Sequence, residues 1–345
     1  MRRALPLLLA LSFCGGCFSM RYLAQAANGE RKMLAAARPI PKVVADPKTD
    51  PRIRDLLARV AEIRAFGESQ GLKSTKNYGR YADLHRDAAV WVVEACAPLS
   101  FTPKRWHFPI AGSVPYLGFF HEKDARRFAA DLAAKESLDV DVRTAGAFST
   151  LGWFKDPILS TMIPPGDEAA GELADVVLHE STHATLYVKD QSAFDESLAS
   201  FVADRLTPQW LEMMYGPESK PLVSWKTLQD RWRTHVDRFH RAWEELDAVY
   251  RSPRSDEDKR AEKARILKSL ATETGTREPI NNATLMDYRT YDTGGTVFEE
   301  LLGECGGDWK KFFDALRGLK PQDFPRSQAD DFADAVRRIA PRCHS

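Results

Sequence analysis

Near the middle of the chain stands His179-Glu180-Ser181-Thr182-His183, and this spacing constrains the fold more than any other feature. Two histidines four positions apart share a face only on a helix, where residues i and i+4 lie one above the other. The surroundings favour one. Pro164-Pro165-Gly166 bars helix upstream, Asp167 is a suitable N-cap, and Glu168 suits the positive end of the dipole. Leu173, Val176, Val177 and Ala184 supply an apolar stripe. On such a helix both imidazoles reach one metal ion at about 2.0–2.1 Å. Glu180, about 100° around the axis, stands beside the metal without binding it. Its carboxylate is then placed to take a proton from water activated by the ion.

A catalytic zinc takes three protein ligands and keeps a fourth position open. Lys189-Asp190-Gln191 reverses the chain, and residues 192–206 read as a second helix running back along the first. Ser192 is its expected N-cap, with Asp195 in the capping-box position. That leaves Glu196 to face the first helix as third ligand; Asp195 or a more distant residue is the alternative. Small residues at Ser197, Ala199 and Ser200 would let the helices approach closely. Ahead of the motif, residues 145–154 read as a strand whose free edge takes a peptide through Ser149, Thr150 and Gly152. Phe148, Leu151, Trp153 and Phe154 fit a buried core strand equally well. Tyr187, expected one turn beyond His183 on the same face, is a candidate donor to an oxyanion, as are Tyr288 and Tyr291; plain core packing is the alternative for each. Asp156, Asp190 and Asp195 are available to hold a substrate amine, and nothing selects among them.

Arg2 and Arg3 precede an apolar run to Phe13, and Cys14-Gly15-Gly16-Cys17 follows, so residues 1–17 read as a secretory signal. Gly16 before Cys17 resembles a bacterial lipobox, which makes Cys17 the lipidation site; a plain signal peptide is the alternative. The expectation is a periplasmic protein held by its lipid at the outer membrane. Residues 18–50 then read as a tether and 51–345 as a single domain. Apolar spacing predicts helices over 55–70, 81–97 and 124–135, extended structure and turns over 101–121, and a strand over 138–144. A charged helical hairpin fills 224–272, and Gly-Gly breaks at 294–295 and 306–307 divide the final helices. The fold class is α+β, predominantly helical, with a small sheet. Cys305 and Cys343 are the expected disulfide pair in an oxidising periplasm. The 49 basic and 49 acidic residues cancel, which leaves no net field to draw the chain to nucleic acid.

Residues 66–211 resemble the bacterial family of predicted zinc aminopeptidases, many of them lipoproteins, that carry H-E-x-x-H-x-x-x-Y and F-N-E-x-x-A. The matching residues are His179, Glu180, His183 and Tyr187, then Phe194, Glu196 and Ala199, with Asp195 where the family usually has Asn. YADLHRDAAVWVV at 81–93, WHFPIAGSVPYLGFF at 106–120 and FSTLGWFKDP at 148–157 match in the same order, Leu117 replacing an expected Arg. NNATL at 281–285 and Tyr291 resemble the family's C-terminal part. The resemblance implies a gluzincin-type, zincin-like fold with two His and one Glu on Zn2+, and an aminopeptidase that hydrolyses peptides in the cell envelope. The other readings are a zinc endopeptidase acting on envelope polypeptides and a non-catalytic envelope lipoprotein with a structural metal site. The 145–154 segment lacks the Glu that holds the substrate amine in well-known zinc aminopeptidases.

Overall fold

The computed structural model describes residues 13–73, 77–108, 112–146, 156–289, 294–327, 329 and 331–344. Its first helix, α1 (Phe13–Ala36), corrects the tether expected over residues 18–50. No proline falls between Phe18 and Ala37, and Tyr22, Gln25 and Met33 recur on one face. That face is packed. The Tyr22 ring lies against Phe108 and Phe119, its hydroxyl accepts from the Gly118 N–H at 3.0 Å, and Gln25 donates to the Gly118 carbonyl. The proline-containing stretch beyond is also structured: β1 (Arg38–Pro39) pairs with β2 (Arg80–Ala82), and α2 (Ile40–Ala45) buries Ile40 and Val43. The signal expected over 1–17 lies largely outside the described residues, and of Cys17 the structure gives only its place in α1.

Helix α3 (Pro51–Ser69) matches the expected one; Asp50 caps it by accepting from the Ile53 N–H at 3.1 Å. The helix expected over 81–97 is instead β2 and β3 (Val90–Cys96). A short apolar run satisfies helix and strand spacing alike. Val90, Trp91, Val92 and Val93 are β-branched or aromatic, and the strand can bury both of its faces. It does so as the middle strand between β6 (Tyr116–Phe119) and β7 (Asp139–Ala145), antiparallel to both, with Val93 opposite Leu117 and Val142. Between them β4 (Trp106–Phe108) and β5 (Gly112–Val114) pair separately. Helix α4 (Glu122–Glu136) lays Ala125, Ala129 and Leu132 on the apolar cluster of Val93, Trp106, Phe108, Leu117 and Phe119. Strand β8 (Ile158–Leu159) joins the β1–β2 sheet.

The chain divides into two compact units. The first holds 1–37, 82–148 and 238–289, the second 38–81, 149–237 and 290–345. Helices α5 (Ala169–Thr185) and α6 (Ser192–Tyr215) lie in the second. Helix α7 (Lys220–Arg251) begins in the second unit and ends in the first, followed there by α8 (Asp256–Thr274) and α9 (Asn282–Met286). The hairpin expected over 224–272 is present: Phe239, Leu246 and Tyr250 of α7 meet Ile266 and Leu270 of α8. The NNATL segment is a structural clamp. Asn281 accepts from the Ala283 and Thr284 N–H groups to cap α9. Buried Asn282 donates to the Ala97 carbonyl at 3.1 Å and accepts from the Tyr250 hydroxyl at 2.8 Å.

In the second unit α10 (Gly295–Glu304), α11 (Trp309–Leu316) and α12 (Ala333–Arg337) bury Phe298, Phe312, Phe313 and Phe332 with Phe194 of α6. A Cys305–Cys343 disulfide closes this part, as expected, and Cys96 is a buried free thiol. The fold is α+β and predominantly helical. Among the described residues no helix is long and apolar enough to cross a membrane. The two bonded cysteines are 38 residues apart. Replacing both with Ser is expected to lower the free energy of unfolding by about 2–4 kcal/mol. Denaturant titration of both proteins checks this, and an unchanged midpoint would count against a structural role for the bond.

Candidate metal and catalytic centre

Helix α5 begins at Ala169 with Glu168 in the cap position, one residue later than the expected Asp167. Its buried stripe is Leu173, Ala174, Val177 and Leu178. Gly171 is required by packing: a Cβ there would lie 2.2 Å from Cδ1 of Trp225. The hydroxyls of Ser181, Thr182 and Thr185 each donate to the carbonyl four residues back, so this polar end of the helix is satisfied internally. The helix stops at Thr185, and Leu186 is extended. Tyr187 therefore does not continue the His183 face as expected; it lies past the helix with its side chain exposed.

The reversal into α6 depends on buried polar groups. Asp195 is 2% exposed, and its Oδ1 accepts from the Val188 N–H at 2.8 Å. Asp190 takes a left-handed φ of 61° at the turn. Gln191, not Ser192, occupies the cap position. Its buried amide donates to the Arg326 carbonyl and accepts from the Ala329 N–H, which fastens the turn to the C-terminal segment. Asp195 thus has a structural task as expected, but it closes the turn and forms no capping box. Of the small residues on α6, Ala199 is buried, Ser197 borders Gly294 and Ser200 is exposed.

This turn sets Glu196 opposite the two histidines. Nε2 of His179 and Nε2 of His183 are 3.2 Å apart. Glu196 places Oε2 3.4 Å from the first and Oε1 3.6 Å from the second. Each residue offers a ligand atom within 4.8 Å of the others, close enough for the three side chains to hold one metal ion. Among the described residues this is the one group of His, Cys, Asp or Glu side chains with that capacity. Two buried atoms near it lack hydrogen-bond partners: Nδ1 of His183 and Oδ2 of Asp195. An imidazole that ligates through Nε2 carries its proton on Nδ1, and a carboxylate is a usual acceptor for it.

The local electrostatics follow from burial and charge. Burial pushes the Glu180 carboxyl above its ordinary pKa, against the opposing pull of His179 and His183. For His183 burial disfavours the charged form, but Glu196 prevails and the pKa lies above the usual imidazole value. Desolvation likewise works against Glu196, yet hydrogen bonds from His179 and His183 hold its carboxyl below the ordinary range. Burial raises Asp195 to about 7 despite the Val188 N–H.

Other expected site residues fare differently. Ser149, Thr150, Gly152 and Tyr291 lie outside the described residues. Tyr288 belongs to the first unit, where its ring packs 4.6 Å from that of Phe239 and its carbonyl meets Nδ1 of His240 at 2.8 Å. Of the three carboxylates considered for a substrate amine, Asp156 and Asp195 are buried and only Asp190 is exposed. One site residue went unrecognised in the sequence. Tyr78 is fully buried at a φ of 59° and donates its N–H to the Asp156 carbonyl at 2.8 Å, and burial, then the nearby charges of Glu180 and Asp156, push its hydroxyl pKa up. Asn77 and Gly79 mark a turn there, but nothing in the pattern says where a tyrosine hydroxyl points.

Asp195 yields a pH prediction. Its folded pKa of about 7 lies above the unfolded value of about 3.9, so ionising it costs stability. The penalty begins above about pH 4 and is complete above about pH 7. Asp195→Asn keeps an acceptor for Val188 and removes the carboxyl. Metal-free variant protein should be more stable than the parent at pH 8, with the difference shrinking towards pH 4–5. Unfolding curves at both pH values check this, and a pH-independent difference would contradict it.

No curated protein matches the chain, and no solved structure matches it. Residues 21–329, which include both α5 and α6, match the family model described as "Putative aminopeptidase", and the chain belongs to that peptidase family.

Proposed function

We propose that the protein is a zinc-dependent aminopeptidase of the cell envelope, built on a zincin-like helix pair. The observation that carries the reading is the convergence of Nε2 of His179, Nε2 of His183 and the Glu196 carboxylate, with Glu180 next to them on α5. Zinc bound there would polarise a peptide carbonyl and acidify water enough for attack near neutral pH. His179, His183 and Glu196 would hold the ion. Glu180 takes the proton from the attacking water and returns it to the leaving amine; its burial-raised pKa suits a base that must also serve as an acid. Tyr187 is exposed just past α5, close after His183 in the chain, and is the candidate oxyanion donor. Ser149, Thr150 and Gly152 would offer backbone groups to an extended peptide.

An envelope location with a lipid anchor on Cys17 is supported by the basic-then-apolar leader and by the Cys305–Cys343 bond, which suits an oxidising compartment. The burial of Asp156 and Asp195 favours testing a second reading, an endopeptidase with the same centre, because neither carboxylate is open to a substrate amine.

Glu180→Gln is expected to cut peptide hydrolysis by at least about 100-fold while zinc stays bound, measured by elemental analysis beside the assay. Glu196→Ala should lose the zinc. Undiminished hydrolysis by Glu180→Gln would sink the mechanism, and a parent protein that binds zinc but cuts no peptide would favour a structural site. Peptides with free and acetylated N-termini separate the two activities; equal cleavage of blocked peptides removes the aminopeptidase assignment.

A further inference from the structure

We infer that the C-terminal segment 324–332 sets the metal affinity of the α5–α6 centre by fixing the rotation of α6, with Gln191 as the positioning residue it acts through, an inference resting on the zinc peptidase reading above. Glu196 is the one ligand that comes from outside the helix of the two histidines, so its aim depends on how α6 is turned about its own axis. Successive helical residues step about 100° around that axis, which sets Phe194 about 200° from Glu196, close to the opposite side. Whatever holds the Phe194 side of α6 therefore aims the Glu196 side at α5.

Residues 324–332 hold it. Phe194 is wholly buried, and the rings of Phe324 and Phe332 meet it edge-on at centroid distances of 5.2 and 5.4 Å. Edge-to-face rings prefer a definite relative orientation, so turning α6 costs the contacts on both sides. Between these two rings the segment takes both hydrogen-bonding ends of one side chain. Gln191 is 1% exposed; its Nε2 donates to the Arg326 carbonyl at 2.8 Å and its Oε1 accepts from the Ala329 N–H at 3.2 Å. Its own carbonyl accepts from the Asp195 N–H at 3.0 Å, which ties the same residue to the first turn of α6. The fit around the grip is close. A Cβ on Gly294 would lie 2.6 Å from Cζ of Phe332 and 2.9 Å from Cβ of Ser197, the residue after Glu196. Packing this dense passes a shift of the segment on to the helix instead of absorbing it.

The test uses the full mature chain, stripped of metal with a chelator and titrated with zinc. Gln191→Met keeps the length and apolar stem of the side chain and removes both bonds to the segment. Its zinc affinity should fall about 10- to 100-fold, the range seen when groups that orient a ligand are lost. Phe332→Leu leaves Gln191 intact and should weaken zinc binding in the same direction. The Cys305→Ser, Cys343→Ser double variant is the control: it lowers stability away from Phe194 and Gln191, and its zinc affinity should match the parent's. Unchanged zinc affinity in Gln191→Met or Phe332→Leu, or a loss in all three variants that follows their unfolding midpoints, overturns the inference and leaves the peptidase reading intact. A parent protein that binds no zinc overturns both.

Discussion

The centre depends on one buried hydrogen bond, from the Val188 N–H to Oδ1 of Asp195. It closes the reversal between α5 and α6 at the point where the chain must turn within a few residues and return in register. Its removal would free the azimuth of α6, and a helix rotated by one residue, about 100°, would point Glu196 away from His179 and His183. Gln191 reinforces the turn through its two bonds to the 326–329 segment. Residues of the second unit's C-terminal stretch thus help to place Glu196 on α6.

The same neighbourhood sets carboxyl groups of different exposure side by side, Asp195 buried and Glu196 exposed. Glu180 and Asp195 are both pushed towards their neutral forms by burial, while Glu196 is drawn towards its charged form by two imidazoles. Carboxyl groups with environments that differ this much can take different tasks: one holds a cation, one exchanges protons, and one supports the backbone. His183 Nδ1 and Asp195 Oδ2 are each buried without a hydrogen-bond partner.

Much of this was legible from residue order. Four-residue spacing on a capped, striped segment identifies one helix and one ligand face, and a dozen further residues with a turn between bring a second helix back. The helices at 51–69 and 122–136 and the strand at 139–145 follow from local periodicity alone. Periodicity failed at 81–97, where an apolar run with both spacings became β3, because its place between β6 and β7 allows burial on both faces. It failed also at 18–36, where sparse apolar residues suggested a tether until Tyr22 found the aromatic rings of β4 and β6. Local pattern cannot register a partner that lies far along the chain.

By itself the sequence determined the chemistry available: two imidazoles and a carboxylate at helical spacing, a further carboxylate on the next helix, and two cysteines in the C-terminal part. Tertiary structure decided which carboxylate faces the two imidazoles, that α5 ends before Tyr187, and that Tyr78 is buried in a left-handed conformation. The reason is physical. Spacing along a helix is set by covalent geometry and travels with the sequence. The rotation of one helix on another, the stopping point of a helix and the placing of a distant side chain are set by packing among residues far apart in the chain, and they exist only once the core has closed.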